Sequence, residues 1–117
     1  MRSAFIYSKR PRLGIVIGTY AAVPHIHLQL ESWRRFCSDI PVLIHDDFSP
    51  QRERLAVLAN HYGADFSTNQ ERRGHPLGDL QAFVSGMEWA ESAGIELLIK
   101  FSRRWIPLTA WHHELLD

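Results

Sequence analysis

Four stretches of the chain gather the side chains that could do chemistry. LGIVIG, Leu13 to Gly18, runs into Thr19 and Tyr20, and PVLI, Pro41 to Ile44, runs into His45, Asp46 and Asp47. ELLIKF, Glu96 to Phe101, runs into Ser102, Arg103 and Arg104. NQERRGHPLGD carries Arg72, Arg73, Gly74, His75 and Asp79 with no apolar run of its own. Ionised carboxylates are pure acceptors. Guanidinium groups pair bidentately with phosphate oxygens. The plain alternatives are that Thr19 ends a strand, that Asp46 and Asp47 cap the helix after them, and that the arginines are solvated loop charges.

The elements that must position these groups follow from periodicity. LGIVIGT and VLIHD are continuous, β-branched and short, the pattern of strands covered on both faces. ADFST and LLIKF supply a third and a fourth strand. Between them, Val23, Ile26, Leu30, Trp33 and Cys37 recur at helical spacing, with Pro24 in the first turn. Ser49 and Pro50 predict a helix start with Ser49 as N-cap, and Leu55, Leu58, Ala59 and Tyr62 give that helix its stripe before Gly63. A long helix spans about Leu77 to Ala93, with Leu80, Phe83, Val84, Met87 and Ala90 expected on the buried face. LTAWHHELLD, 108–117, predicts a terminal helix. Residues 1–12, with Arg2, Lys9, Arg10 and Arg12 around AFIY, are expected as a leader or a short extra strand.

The order β-α-β-α-β-α-β-α predicts a single α/β domain over 1–117: a three-layer α/β/α arrangement with a mostly parallel, Rossmann-like sheet. In such sheets ligands bind outside the carboxyl ends of the strands. All four reactive stretches fall there.

Composition narrows the partners. Of 117 residues, 45% are hydrophobic and 22% charged, and thirteen basic residues balance thirteen acidic ones. No surplus of positive charge points to nucleic acid or to an anionic membrane surface. Cys37 is the single cysteine, so no internal disulfide forms, which suits a reducing, cytoplasmic setting. No apolar run is long enough to span a bilayer, and the N-terminus lacks the apolar core of a signal peptide. Neither the G-x-G-x-x-G turn of dinucleotide-binding folds nor a G-x-x-x-x-G-K-[ST] loop is present. A flavodoxin-like phosphate binder is disfavoured for the same lack of a phosphate loop.

GIVIGTY on the first strand and VLIHDDFS on the second resemble the inverting family-2 glycosyltransferases and their relatives with the A-type fold, over about Leu13 to Pro107. The resemblance implies a site for a nucleotide-diphosphate sugar, UDP- or GDP-linked. Thr19 and Tyr20 would edge the base, and Asp46 or Asp47 would accept hydrogen bonds from base or ribose. It also implies transfer of the sugar to an acceptor hydroxyl activated by a carboxylate. No residue matches the family base; Asp79, Glu88 and Glu114 are carboxylates outside its motif.

The fourth strand departs from the family. The resemblance calls there for an acidic pair holding a divalent cation, Mn or Mg, against the diphosphate. This chain has Ser102, Arg103 and Arg104 instead. No cofactor is assigned, and the expectation is a metal-independent site in which Arg103 or Arg104 contacts the diphosphate, helped by Arg72, Arg73 and the Gly74 backbone. Among the histidines, His25 and His27 stand two apart on a helix and do not face one another; they and the adjacent His112 and His113 are expected to be solvated rather than metal ligands. The other reading of the chain is a non-catalytic Rossmann-like module that binds a partner or itself through Trp89, Trp111 or the terminal helix. A donor site predicts that replacing Asp46 or Asp47 abolishes nucleotide binding without unfolding the domain.

Overall fold

A computed structural model of the chain describes residues 11–116. The expected leader or extra strand at 1–12 falls almost wholly outside the described residues. The strands are β1 (Leu13–Thr19), β2 (Val42–Asp46), β3 (Asp65–Thr68) and β4 (Leu97–Ser102), and the helices are α1 (Val23–Phe36), α2 (Arg52–His61), α3 (Leu77–Ala93) and α4 (His112–Leu116). All three strand pairings are parallel, in the order β3-β2-β1-β4. No described helix is long and apolar enough to cross a membrane.

Period-two alternation along β1 explains why both sheet faces are covered. Ile15 and Ile17 join Val42 and Ile44 of β2 in one cluster with Ile26, Leu30 and Trp33 of α1 and Leu55 and Ala59 of α2. The intervening Val16 and Gly18 turn to α3 on the opposite face, where Gly86 and Ala82 meet them. The three-layer expectation is met.

Two details differ from expectation. α3 packs through Gly78, Ala82, Gly86 and Ala90, while Leu80 (62% exposed), Phe83 (41%) and Met87 (52%) face outward. The helix lies so close that a Cβ on Gly86 would stand 2.7 Å from Val16, which leaves room only for small residues. α2 begins at Arg52, later than a Ser49 N-cap implies. Buried Ser49 instead starts a preliminary turn, its carbonyl accepting Arg52 N–H at 3.2 Å and its hydroxyl accepting Gln51 N–H at 3.2 Å.

Behind β4 the chain runs back along α1. Gln29 Nε2 donates to the carbonyls of Ser102 and Trp105, Ser32 Oγ to that of Pro107, and Cys37 Sγ lies 3.8 Å from that of Thr109. Phe101, Trp105, Trp111 and Trp33 stack alongside, with ring centroids 5.6–6.0 Å apart. Trp111 is partly buried against the core, and Trp89 is half-buried with its Nε1 donating to Asp65 at 2.7 Å.

Candidate functional site

β1 leads to β2 on one side of the sheet, and the chain later returns to place β4 on β1's other side. That reversal of strand order opens a crevice at the carboxyl ends of β1 and β4. A cleft of about 580 Å³ occupies it, and its walls include Thr19, Tyr20, Asp47, Arg72, Arg103 and Arg104. Six of the eight residues expected from the sequence therefore share one cavity, although they are spread over 86 positions from Thr19 to Arg104.

Asp46 is the carboxylate that does not enter it. Its side chain is fully buried, Oδ1 accepting Ala21 N–H at 2.9 Å and Oδ2 accepting Ser49 N–H at 2.7 Å. Both turns so fastened contain residues with positive φ that are not glycine: Ala21 (57°), Ala22 (63°) and Phe48 (54°). L-residues adopt that region at a cost, and here one carboxylate holds the β1–α1 and β2–α2 turns against it. The expectation that Asp46 can be replaced without damage to the fold is corrected on this ground.

Asp47 does face the cleft. Oδ1 accepts Asn69 Nδ2 at 2.7 Å and Arg73 N–H at 2.8 Å, and Oδ2 accepts Gly74 N–H at 2.9 Å. Burial favours the neutral acid, but these three hydrogen bonds and the nearby Arg72 charge outweigh it and hold the carboxyl below the usual aspartate range. A carboxylate offers about four acceptor positions, and three of them are filled here. Gly78 makes this approach possible: a Cβ there would stand 2.5 Å from Asp47 Oδ2.

The arginines divide by role. Arg72 lies over the Tyr20 ring, its guanidinium carbon 4.1 Å from the centroid. Arg103 reaches the Tyr20 carbonyl with Nη1 at a long 3.4 Å. Arg104 is exposed at the rim, its backbone N–H on Ser102 Oγ at 3.2 Å. Arg73 contributes its backbone to Asp47 and is not part of the cleft wall. Thr19 Oγ1 donates to the Ala21 carbonyl at 3.0 Å, closing the same turn that Asp46 holds.

Two contributors escaped the sequence reading, and a third, Asp79, was named there without a role. Asn69 positions Asp47, and Gln29, with no exposed surface, anchors the chain behind Arg103 and Arg104. The signal for Gln29 was there: a polar residue beside the apolar stripe of α1. Asp79 is in the cleft wall and forms an ion pair of 2.6 Å with Lys100. Glu88, by contrast, is exposed on α3 away from the cleft wall.

The two cleft carboxylates are poor partners for a divalent cation. Asp47 has most of its acceptor positions filled and the Arg72 charge nearby, and Asp79 is paired with the Lys100 ammonium group. The donor set does not fit the metal that the sequence resemblance calls for.

No protein-family model matches the chain, and no curated protein matches it. Solved structures do match in fold. The mannosyltransferase PcManGT from Pyrobaculum calidifontis, in complex with GDP-Man and Mn2+, aligns with a TM-score of 0.65 at 18% sequence identity. The alignment covers 89% of this chain and 30% of that one. The present chain therefore has a glycosyltransferase-like α/β fold and spans about 30% of the length of that protein.

Proposed function

We propose that the cleft binds a nucleotide-diphosphate sugar, GDP- or UDP-linked, and that 1–117 is the donor-binding unit of a glycosyltransferase. In the full reaction an acceptor hydroxyl, deprotonated by a carboxylate, attacks the anomeric carbon while the bond to the nucleoside diphosphate breaks. The observation that carries the reading is the convergence of Tyr20, Arg72 and Arg103 beside Asp47 at the switch in strand order. The remaining acceptor position of Asp47 suits an imide N–H or a ribose hydroxyl. Tyr20 flanks the base, with Arg72 on its ring. Arg103 and Arg104 take the diphosphate, replacing the charge of a metal ion. Asp46 and Arg73 support the site from behind, one through the turns and the other through its amide.

Calorimetric titration of GDP, UDP and their common sugar conjugates, with manganese and with excess chelator, tests this. Micromolar binding that survives chelation is expected. Binding only with manganese would overturn the arginine-for-metal part, and no binding in either condition would overturn the donor site.

The exposed Leu80, Phe83 and Met87 on α3 favour a second reading, a module that associates with a partner or itself. A concentration-dependent mass in light scattering, with no nucleotide affinity, would select it.

A further inference from the structure

At the other end of the sheet, the turn between α1 and β2 meets the start of α4. Asp39, His112 and His113 each bring a ligand atom to this point, all within 4.8 Å of one another, the only such trio among the described residues. We propose that Asp39, His112 and His113 form a binding site for a transition-metal cation of the zinc class, which clips the returning chain to the body of the domain.

The geometry of His112 carries the proposal. Contrary to the solvated ring expected from the sequence, His112 is 2% exposed, and its Nε2 lies 3.0 and 3.1 Å from the two carboxylate oxygens of Asp39. Nε2 is therefore the ring nitrogen that would hold the cation, in place of its contact with Asp39, while Nδ1, buried without a hydrogen-bond partner, lies on the other side of the ring. The His113 ring centroid stands 4.2 Å from that of His112. With zinc bonds of about 2.0–2.2 Å to nitrogen and oxygen, tetrahedral ligands stand roughly 3.4 Å apart. The Asp39–His112 spacing is already close to that. His113 and Asp39 are exposed, so their side chains are free to close the remaining distance and solvent supplies the fourth ligand.

Two imidazoles and one carboxylate select zinc and its neighbours over magnesium or calcium, which take oxygen ligands. The structural use follows from the path of the chain. From Ser102 onward it is tied to α1 and the turn after it by a ladder of single contacts: Gln29 to Ser102 and Trp105, Ser32 to Pro107, Cys37 to Thr109 and Asp39 to His112. A metal at the last rung fixes the whole run, including its first residues, Ser102 to Arg104, in the cleft wall.

The test is zinc titration of the untagged, metal-stripped chain by calorimetry, with cobalt substitution read by its visible absorption. One zinc per chain, the cobalt spectrum of a four-coordinate site and a zinc-dependent rise in Tm are expected. Asp39→Asn and His113→Gln alter exposed residues, so both variants should fold. Each should weaken zinc at least about 100-fold, since loss of a mere supporting contact already costs 10–100-fold. His25→Gln/His27→Gln should bind as the native chain does. Absence of zinc binding, or binding that Asp39→Asn and His113→Gln leave intact, would overturn the proposal and leave His112 and Asp39 as a simple hydrogen-bonded pair.

Discussion

His45 Nε2 lies 3.0 Å from Asn69 Oδ1, and this contact fixes the tautomer of a buried chain of polar groups. Asn69 Nδ2 donates to the Asp47 carboxylate, so its oxygen must accept, and Nε2 of His45 carries the hydrogen. Nδ1 then accepts from the Ser67 hydroxyl at 2.7 Å. The neutral ring completes a relay from β3 through β2 to the cleft carboxylate. At 2% exposure, burial disfavours the charged ring and lowers the His45 pKa, against the opposing pull of Asn69, Asp46 and Asp47.

Stability should therefore fall in mild acid. A histidine whose folded pKa lies below its unfolded value of about 6.5 leaves the folded state at full strength above that pH. As pH drops below it, the unfolded chain takes up a proton that the folded chain resists. Asp47, with its pKa lowered in the fold, adds a second loss below about pH 4. Urea melts of the native chain and of His45→Gln between pH 7.5 and 5 should converge as pH falls. A native stability that does not change over that interval would contradict the assignment.

Asp46→Asn should destabilise the fold more than Asp47→Asn. An asparagine can accept only one of the two backbone N–H groups and sets its own amide against the other, and an unsatisfied buried donor costs about 1–3 kcal/mol. Ala21 and Phe48 would then hold positive φ with a weaker clasp. Chemical denaturation should show a loss of about 2 kcal/mol or more. Asp47→Asn should act chiefly on the 73–74 loop and on nucleotide affinity, because its partners are loop amides and Asn69. Equal stability losses would mean that Asp47, too, serves the fold first.

The strands and the long helices were legible because their residues report local periodicity: Ile15 and Ile17 alternate, and Ile26, Leu30 and Trp33 repeat at helical spacing. The cleft was legible in outline, since in a parallel sheet the residues after each strand must converge. Separate roles for Asp46 and Asp47 were not. Adjacent residues in one motif point to different sides, and which one faces solvent depends on the Ala21 and Ser49 amides, which come from separate turns. The buried face of α3 misled for a related reason. Leu80, Phe83 and Met87 carry more apolar surface than Gly78, Ala82 and Gly86, yet the closeness of β1 favours the smaller set. Asp39 and His112 lie 73 positions apart, a separation that no local pattern bridges.

Gly86→Ala should cost about 1–3 kcal/mol, the usual penalty for overpacking, because the new methyl meets Val16 at 2.7 Å on the central strand. Met87→Ser, one position on and 52% exposed, should change stability by only about 0.5 kcal/mol. The usual rank of large apolar over small is inverted along this helix. Paired urea melts check it, and a larger loss at Met87 than at Gly86 would mean that α3 sits rotated from the face described.

Arg103→Ala and Arg104→Ala should weaken a nucleoside diphosphate and leave the unphosphorylated nucleoside unchanged. A hydrogen bond to a charged group contributes about 1.5–3 kcal/mol, so each loss should lower GDP or UDP affinity roughly 10- to 100-fold. Arg103 can be redirected at little expense, since its present contact to the Tyr20 carbonyl is a long 3.4 Å. Arg72→Ala should weaken nucleoside and diphosphate alike, because its guanidinium rests on the Tyr20 ring, which is proposed to flank the base. Asp79→Asn should do the opposite of all three. It frees the Lys100 ammonium from its 2.6 Å ion pair and removes a negative charge from the cleft wall, so diphosphate affinity should rise at low salt. Titration of nucleoside and diphosphate against the four variants separates these effects. A uniform loss for both ligands across the set would place the diphosphate away from Arg103 and Arg104.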